Sequence, residues 1–442
     1  VFDSLLVANR GEIACRVLRT ANDLGIHTIA VYSEADGGAR HVELADEAVA
    51  IGPSPAAESY LSIPALVEAI ERTGAAAVHP GYGFLSENAA FARAVEAAGA
   101  TWVGPRPETI EAVGDKRAAR DVMAAAGVPV NAGGPVQAGE EALAVADRAG
   151  YPVMVKAAAG GGGIGMRIVD DRDQLVEAVE STSAQAERFF GDGSILLERY
   201  LPNARHVELQ VLGLTDGRVA VLGERDCSVQ RRYQKVLEES PSPGVSPALR
   251  ARMVAAIRAG AEHLGYRNAG TFECLVSGDD FVFLEVNARL QVEHPVTEAV
   301  TGLDLVAEQL RIAAGEPPGF DPDAVDPQGH AIELRVYAED SKRFLPRPGT
   351  ITAYQEPTGP GIRVDSGFRA GDAITPYYDP LVAKLVVHGA DRGQAIERAR
   401  AAVDGFVIEG LTTNLSFLAE VLDDPGFASG TYDTGLVARL RG

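Results

Sequence analysis

Residues 271–294, TFECLVSGDDFVFLEVNARLQVEH, hold the densest set of chemically capable groups in this 442-residue chain. They read as a hairpin, with strand 271–276, a turn at Gly278-Asp279-Asp280 and strand 281–287. A three-residue loop sets Phe272, Cys274 and Val276 opposite Val286, Leu284 and Val282, a wholly apolar face; a slip of one residue would set Glu273 against Leu284. On the other face Glu273 stands beside Glu285 and Thr271 beside Asn287. Adjacent carboxylates repel unless a cation joins them. Two glutamates and an asparagine oxygen are hard ligands of the kind Mg²⁺ takes when nucleotide phosphates complete its shell. Solvent-facing strand glutamates are the plainer reading of the pair, and the next residues weigh against it. Asn287-Ala288-Arg289-Leu290-Gln291-Val292-Glu293-His294 packs two amides, a guanidinium and a carboxylate into one short run. If extended, it sends Asn287, Arg289, Gln291 and Glu293 to one side and Ala288, Leu290 and Val292 to the other.

Two further runs bear charge or bare backbone. Tyr151-Pro-Val-Met-Val-Lys156 reads as a strand entering the glycine loop 160–165, and the apolar residues on both sides argue against a linker. Glycine is costly to order unless backbone must approach a ligand closely, and successive bare N–H groups beside Lys156 can cradle phosphate. Glu224 to Lys235 is the densest basic run, with Arg225, Arg231, Arg232 and Lys235, and implies a local anion such as phosphate or bicarbonate. The lysines are Lys116, Lys156, Lys235, Lys342 and Lys384, and every other basic residue is arginine. Positions that stay lysine in so arginine-rich a chain are candidates for needing a compact, mobile ammonium; Lys342, in a polar loop, reads as chance.

These groups need elements to hold them. Residues 1 to about 112 alternate strands at 5–8, 27–32, 75–78 and 101–103 with helices at 12–24 and around 64–72, a βαβ rhythm that predicts a parallel sheet. His79 to Asn88 is a shaped loop at the end of a strand, where such sheets bind ligands. A helix is expected from 114 to 126, strands at 195–201 and 205–212, and a helix over 246–264 with Val254, Ile257 and Ala261 inward. Pro317 to Pro327 reads as a linker, after which 332–336 opens a last unit with Arg335 on its polar face. The length predicts two to four domains. A net charge of -22 and a pI near 4.8 argue against nucleic acid or anionic membrane as partner. No apolar run is long enough for a membrane span, the first residues lack a signal-peptide pattern, and three cysteines without metal-ligand spacing suit a reducing, cytoplasmic setting.

The run E-V-N-A-R-L-Q-V-E-H at 285–294 resembles the signature of biotin carboxylases, the ATP-grasp enzymes that attach bicarbonate-derived CO₂ to biotin. H-P-G-Y-G-F-L-S-E-N at 79–88, E-R-D-C-S-V-Q-R-R-Y-Q-K at 224–235 and E-L-R-V-Y-A-E-D at 333–340 extend the resemblance, which spans residues 2 to about 437. Ala288 stands where the family usually has Thr, Ile164 where Arg or Lys is common, and Tyr233 where His is frequent. The resemblance implies an N-terminal Rossmann-like domain (1–112), an ATP-grasp domain (113–320) with a lid at about 131–200, and a biotin carboxylase C-terminal domain (330–442). It implies Glu293 as general base, Arg289 and Lys235 as bicarbonate holders and Arg335 as the cation steadying the biotin enolate. Nucleotide contacts would come from Lys116, Lys156, Gly161, Gly162, Gly163, Gly165, Met166, Glu198, Leu201, His206, Gln230, Tyr233 and Leu275. Tyr82, Gly83, Gln291 and Val292 would line the substrate pocket, and Glu273, Glu285 and Asn287 would hold Mg²⁺ or Mn²⁺. Biotin is expected on a carrier protein or domain, because no Met-Lys pair occurs in the sequence, with a carboxyltransferase choosing acyl-CoA, pyruvate or urea as final acceptor. A homodimer is a family expectation. Two rivals stay open: another ATP-grasp ligase such as a carbamoyl-phosphate synthase domain, and a nucleotide-binding regulatory subunit without catalysis, for which Ile164 and Tyr233 speak.

Overall fold

A computed structural model describes residues 1–136, 139–158 and 166–441, apart from the side chains of Glu140 and Phe190. The glycines expected to cradle phosphate (Gly161, Gly162, Gly163 and Gly165), and Ile164, lie outside the described residues.

The N-terminal strands β1 (Ser4–Val7), β2 (His27–Ser33), β3 (Glu47–Gly52), β4 (Ala77–His79) and β5 (Thr101–Trp102) form a parallel sheet in the order β3-β2-β1-β4-β5. The helix Gly11–Asp23 buries Ile13, Ala14, Val17, Leu18 and Ala21, and Gly25 follows at φ +72. The chain reverses direction across the sheet between β1 and β4, the switch point at which open α/β sheets form a crevice. There the Asn9 amide donates to the carbonyls of Pro80 and Tyr82 at 2.7 and 2.8 Å, tying the two loops together. Gly81, at φ +64, lies so close that a Cβ would stand 2.9 Å from the Asn9 amide nitrogen.

A separate four-stranded antiparallel sheet, ordered β6-β9-β7-β8, consists of β6 (Gly133–Val136), β7 (Val153–Ala157), β8 (Met166–Val169) and β9 (Ile195–Arg199). It encloses its own apolar core with the helices Gly139–Ala149 and Leu175–Phe190.

The largest sheet is antiparallel and runs through eight strands. Its members are β10 (Arg205–Gly213), β11 (Val219–Arg231), β12 (Gln234–Ser240), β13 (Asn268–Ser277), β14 (Asp280–Asn287) and β15 (His330–Tyr337), with β18 (Ile362–Ser366) and β20 (Leu381–Gly389). They stand in the order β14-β13-β10-β11-β12-β15-β20-β18. Four short strands complete two small ribbons: β16 (Gly349–Thr350) with β19 (Ala373–Ile374), and β17 (Ala353–Gln355) with β21 (Val407–Glu409). The chain carries no helix or strand between Ala313 and His330, as the proline-rich run predicts, and then rejoins the same sheet. Glu238 on β12 pairs with Glu333 on β15, so Arg335 stands on a sheet shared with Lys235.

Two local expectations are corrected. The hairpin keeps the expected register only at Thr271↔Asn287, Phe272↔Val286 and Glu273↔Glu285; beyond a bulge, Cys274 pairs with Phe283 and Val276 with Phe281. The loop is therefore two residues, Gly278-Asp279, with Gly278 at φ +60. The bulge lets the larger rings of Phe281 and Phe283 into the core, and Phe283 N–H also bonds the Pro129 carbonyl at 2.7 Å. Leu284 is left to the other face. Alternation after Asn287 holds through Ala288 and Leu290, both buried, but a turn at Val292-Glu293 ends it ahead of the helix His294–Thr301. In the helix Pro247–His263, Met253, Ile257 and Ala261 are buried, and Val254, half-buried, packs against the same core as expected.

Candidate active site

The four-stranded sheet, the β13–β14 hairpin and the middle of the large sheet enclose a cavity of about 1600 Å³. Its wall is built from a register. Glu285, Glu273, Glu208 and Arg225 lie side by side across β14, β13, β10 and β11. Period-two geometry keeps all four on one face, and three adjacent carboxylates demand cations. Arg225, fully buried, donates to Glu208 at 2.6 Å and to Gln210, Thr297 and Thr271 at 2.7–3.1 Å. From β12, the Lys235 ammonium reaches Glu208 at 2.6 Å, Glu273 at 2.9 Å and Glu293 at 2.7 Å. Burial works against its charge, yet the carboxylates around it raise its pKa well above the ordinary value.

Glu293 is bridged a second time. Its other oxygen accepts from Arg335 Nη2 at 2.9 Å, and the same guanidinium nitrogen lies 2.6 Å from Glu238. Burial alone would push the Glu293 carboxyl up, but Lys235, Arg335 and Arg225 outweigh it and hold it well below the usual range. Glu273 is likewise depressed, against its burial, by Lys235 and by His206, whose Nε2 lies 2.8 Å away. His206 is in turn pushed up by Glu273, against its own burial, and favours the imidazolium. The Gln230 amide nitrogen lies 3.0 Å from its Nδ1. The group His206, Glu208 and Glu273 has metal-like spacing, but the Lys235 ammonium already bridges its two carboxylates.

The remaining residues of the signature form a second network. Arg289 donates to Gln291 Oε1 at 2.6 Å, to Asn287 Oδ1 at 3.1 Å and to Glu87 at 2.9 Å, while Asn287 and Gln291 donate to Glu273 Oε1 at 2.9 and 3.3 Å. Glu285 meets Lys116 Nζ at 3.0 Å, and Lys156 meets Glu198. Lys116 opens the helix Lys116–Ala125, which Asp115 caps by accepting from the N–H groups of Arg117 and Ala118. Glu273, Glu285 and Asn287 therefore present hard oxygens on one cavity wall, a donor set that fits Mg²⁺, with Glu273 held by Lys235 and two amides, Glu285 by Lys116 and the Asn287 oxygen by Arg289. Met166, Leu201, Gln230, Tyr233, Leu275 and Val292 also line the cavity.

Two expectations fare differently. Tyr82 and Gly83 are not among the residues lining the cavity. The Tyr82 hydroxyl donates to buried Glu12 at 3.0 Å, Glu12 pairs with Lys384 at 2.7 Å, and Lys384 donates to the Val292 carbonyl at 3.0 Å. Tyr82 is thus tied through Glu12 and Lys384 to Val292, a residue of the cavity wall. The basic run 225–235 is not one anion site either. Glu208 pairs with Arg225 and Glu339 with Arg231, Arg232 is exposed, and of its four cations only Lys235 lines the cavity.

Sequence reasoning missed Glu208, Glu238 and Glu333. Burial pushes Glu238 up to about 7 despite Arg335, and Glu333 is raised well above its ordinary value for the same reason. Both oxygens of Glu333 are buried without a hydrogen-bond partner among the described residues. Polar residues at alternate positions of an otherwise apolar strand, His206-x-Glu208-x-Gln210 and Glu333-x-Arg335, were the available signal for Glu208 and Glu333.

Three family descriptions match successive stretches: biotin carboxylase, N-terminal domain, at residues 1–110; carbamoyl-phosphate synthase L chain, ATP binding domain, at 115–318; and biotin carboxylase C-terminal domain at 333–439. The biotin carboxylase of Pseudomonas aeruginosa is 48% identical over 433 residues, 97% of this chain and 96% of that protein. The crystal structure of the biotin carboxylase–β-γ-ATP complex from Campylobacter jejuni superposes with a TM-score of 0.95 at 43% identity, covering 99% of both chains. The biotin carboxylase domain dimer of the Hydrogenobacter thermophilus 2-oxoglutarate carboxylase, in complex with MgADP, ADP and bicarbonate, gives 0.94 at 44% identity, over 99% of this chain and 97% of that one. Similar in sequence and in backbone path over nearly its full length, the chain belongs to the biotin carboxylase family.

Proposed function

We propose that this chain carries out the first half-reaction of a biotin-dependent carboxylase, in which ATP, bicarbonate and carrier-bound biotin give carboxybiotin, ADP and phosphate. The observation that carries this reading is Glu293, held between Lys235 at 2.7 Å and Arg335 at 2.9 Å. A carboxylate kept ionised at the meeting point of two cations is placed to take the proton of bicarbonate. In the first step a bicarbonate oxygen attacks the γ-phosphorus, the bond to ADP breaks, and carboxyphosphate forms. Lys235 and Arg289 orient the bicarbonate, and Glu293 accepts its proton. Charge stabilisation of this sort supplies most of the acceleration in phosphoryl transfer. Lys116, Lys156, Met166, Glu198, Leu201, His206, Gln230, Tyr233 and Leu275 hold the nucleotide. Gln291 and Val292 flank the biotin that Arg335 steadies. The residue roles follow the three units 1–112, 113–320 and 330–442. The partners are a biotin carrier, a carboxyltransferase and a second copy of the chain. No helix of the described residues is long and apolar enough to cross a membrane.

Glu273, Glu285 and Asn287 would hold Mg²⁺, which when bound neutralises phosphate oxygens. Glu285→Gln is expected to weaken MgADP binding about tenfold or more, since loss even of a group that only supports a metal ligand costs about 10- to 100-fold, while binding of metal-free ADP changes little. Calorimetric titration with and without Mg²⁺, on protein shown to be folded, reads this; equal affinities for MgADP in both proteins would remove Glu285 from the metal site. The function as a whole is tested by phosphate release with and without free biotin at controlled bicarbonate. Biotin-stimulated, bicarbonate-dependent release is expected. Release indifferent to biotin would favour another ATP-grasp ligase, and no release a regulatory subunit.

A further inference from the structure

Beside the catalytic cavity lies a second cleft of about 480 Å³. Five cations rim it: Arg231 and Arg232 at the β11–β12 turn, Lys342 and Arg343 in the loop after β15, and Arg441 in the helix Leu436–Arg441. Its lining is otherwise apolar, from Phe344, Leu345 and Val437, and Leu345 is 45% exposed. Arg231 pairs with Glu339 and Arg441 with Glu420. Arg232, Lys342 and Arg343 have no ion-pair partner among the described residues. Arg231 is buried, and its Nε has no hydrogen-bond partner there either. In a chain with 62 acidic and 40 basic residues, this is a local reversal of the field.

The cleft backs onto the catalytic wall. The Arg231 guanidinium lies 5.3 Å from the Tyr337 ring and 5.2 Å from that of Phe344. Tyr337 lines the catalytic cavity and stands two residues beyond Arg335 on β15. A group seated here is therefore one side-chain layer from the guanidinium assigned to biotin. The loop offers no backbone cradle for a phosphate, because the N–H groups of Lys342, Arg343 and Leu345 already donate to Asp340. Dispersed rim cations over an apolar lining suit an acidic chain segment with one apolar side chain, whereas a compact multivalent anion needs converging donors.

We propose that this cleft docks an acidic loop of the biotin carrier, bearing a leucine or similar residue for the apolar lining. This rests on the function proposed above. Rim charges act chiefly on encounter, steering the partner in and letting it leave, as a carrier that must shuttle requires. The chain as a whole, at a net charge of -22, repels an acidic partner.

The test uses two biotinyl-lysine peptides of equal length, each with one leucine, one carrying several glutamates and the other glutamines in their place, with free biotin as reference. The wild-type chain is expected to show a KM for the acidic peptide about five- to tenfold below that for the neutral one, a gap that closes at high salt. The double variant Lys342→Glu, Arg343→Glu, both exposed positions, is expected to raise the acidic-peptide KM about tenfold or more with kcat and all free-biotin kinetics unchanged. Leu345→Ser should raise the KM for both peptides and leave free biotin alone. Equal KM values for the two peptides in the wild-type chain overturn the proposal, as does an equal loss of free-biotin activity in the folded double variant. Pyrophosphate inhibition removed by the same substitutions, without peptide discrimination, would make the cleft a small-anion site instead. Absence of biotin-stimulated phosphate release with free biotin would instead count against the proposed function.

Discussion

Lys235→Met is expected to abolish both bicarbonate-dependent ATP cleavage and biotin carboxylation, and to lower stability by about 3–5 kcal/mol, the range for breaking a buried ion pair. A single ammonium holds Glu208, Glu273 and Glu293 at 2.6–2.9 Å. All three carboxylates are buried, and Arg225, His206 and Arg335 cannot take over its position between them. The pH dependence of stability should change sign as well. In the wild-type chain Glu273 and Glu293 ionise below the ordinary carboxylate range. Their contribution is therefore present above the unfolded pKa of about 4.3 and is lost only as pH falls through the lower folded values. Without the ammonium, burial dominates and these carboxyls favour protonation. The variant should then melt higher near pH 5 than near pH 8, whereas the wild-type contribution is already complete at pH 5. Melting temperature against pH, with phosphate release on the folded fraction, decides it. An unchanged melting profile would mean that Lys235 does not hold the three acids together.

The part of this site legible in the sequence is the part written within single elements. Glu273 and Glu285 fall opposite one another because side chains alternate with period two, and that relation survives the bulge three pairs from the strand end. The bulge itself was not legible: Phe283 and Leu284 are both apolar, so the pattern could not say which enters the core. The turn at Val292-Glu293 was hidden in the same way, since an extended run and a turn place Glu293 on the same chain but aim it differently. The alternation around Glu208 and Glu333 was visible, but their roles and that of Glu238 were not, because these depend on which strands are neighbours. Glu238 meets Glu333 only because β15 returns to the sheet beside β12 after the proline-rich stretch. Lys384 illustrates the limit from the other side. Lysine scarcity marks it as a residue with a task, but only the fold shows the task as bridging Glu12 and the Val292 carbonyl, one residue from Glu293.

Arg335→Ala is expected to separate the two halves of the reaction. Biotin's ureido nitrogen is amide-like and a poor nucleophile, so it must lose its proton as it attacks, and the enolate-like oxygen that develops needs a cation that stays charged. Guanidinium does so at any working pH, and acidic neighbours raise the Arg335 pKa further, against its burial. Removing a donor aimed at such an oxyanion costs about 100- to 1,000-fold in rate, and that is the loss expected in carboxybiotin formation. ATP cleavage should persist, because the largest of the charges that keep Glu293 ionised, that of Lys235, remains. Lys235 still holds its other oxygen at 2.7 Å, and Arg225 adds to the same field. The fold should persist as well. Glu238, which loses its Arg335 partner, already sits at about 7 with that partner in place. It can answer the loss by retaining a proton, so no buried charge is stranded. The measurement is phosphate release beside carboxybiotin formation at fixed bicarbonate, with Glu293→Ala as the contrasting variant expected to lose both. If Arg335→Ala stops ATP cleavage as completely as carboxylation, the guanidinium serves the carboxyphosphate step too; if it carboxylates biotin at the wild-type rate, the cation assigned to the enolate lies elsewhere on the cavity wall.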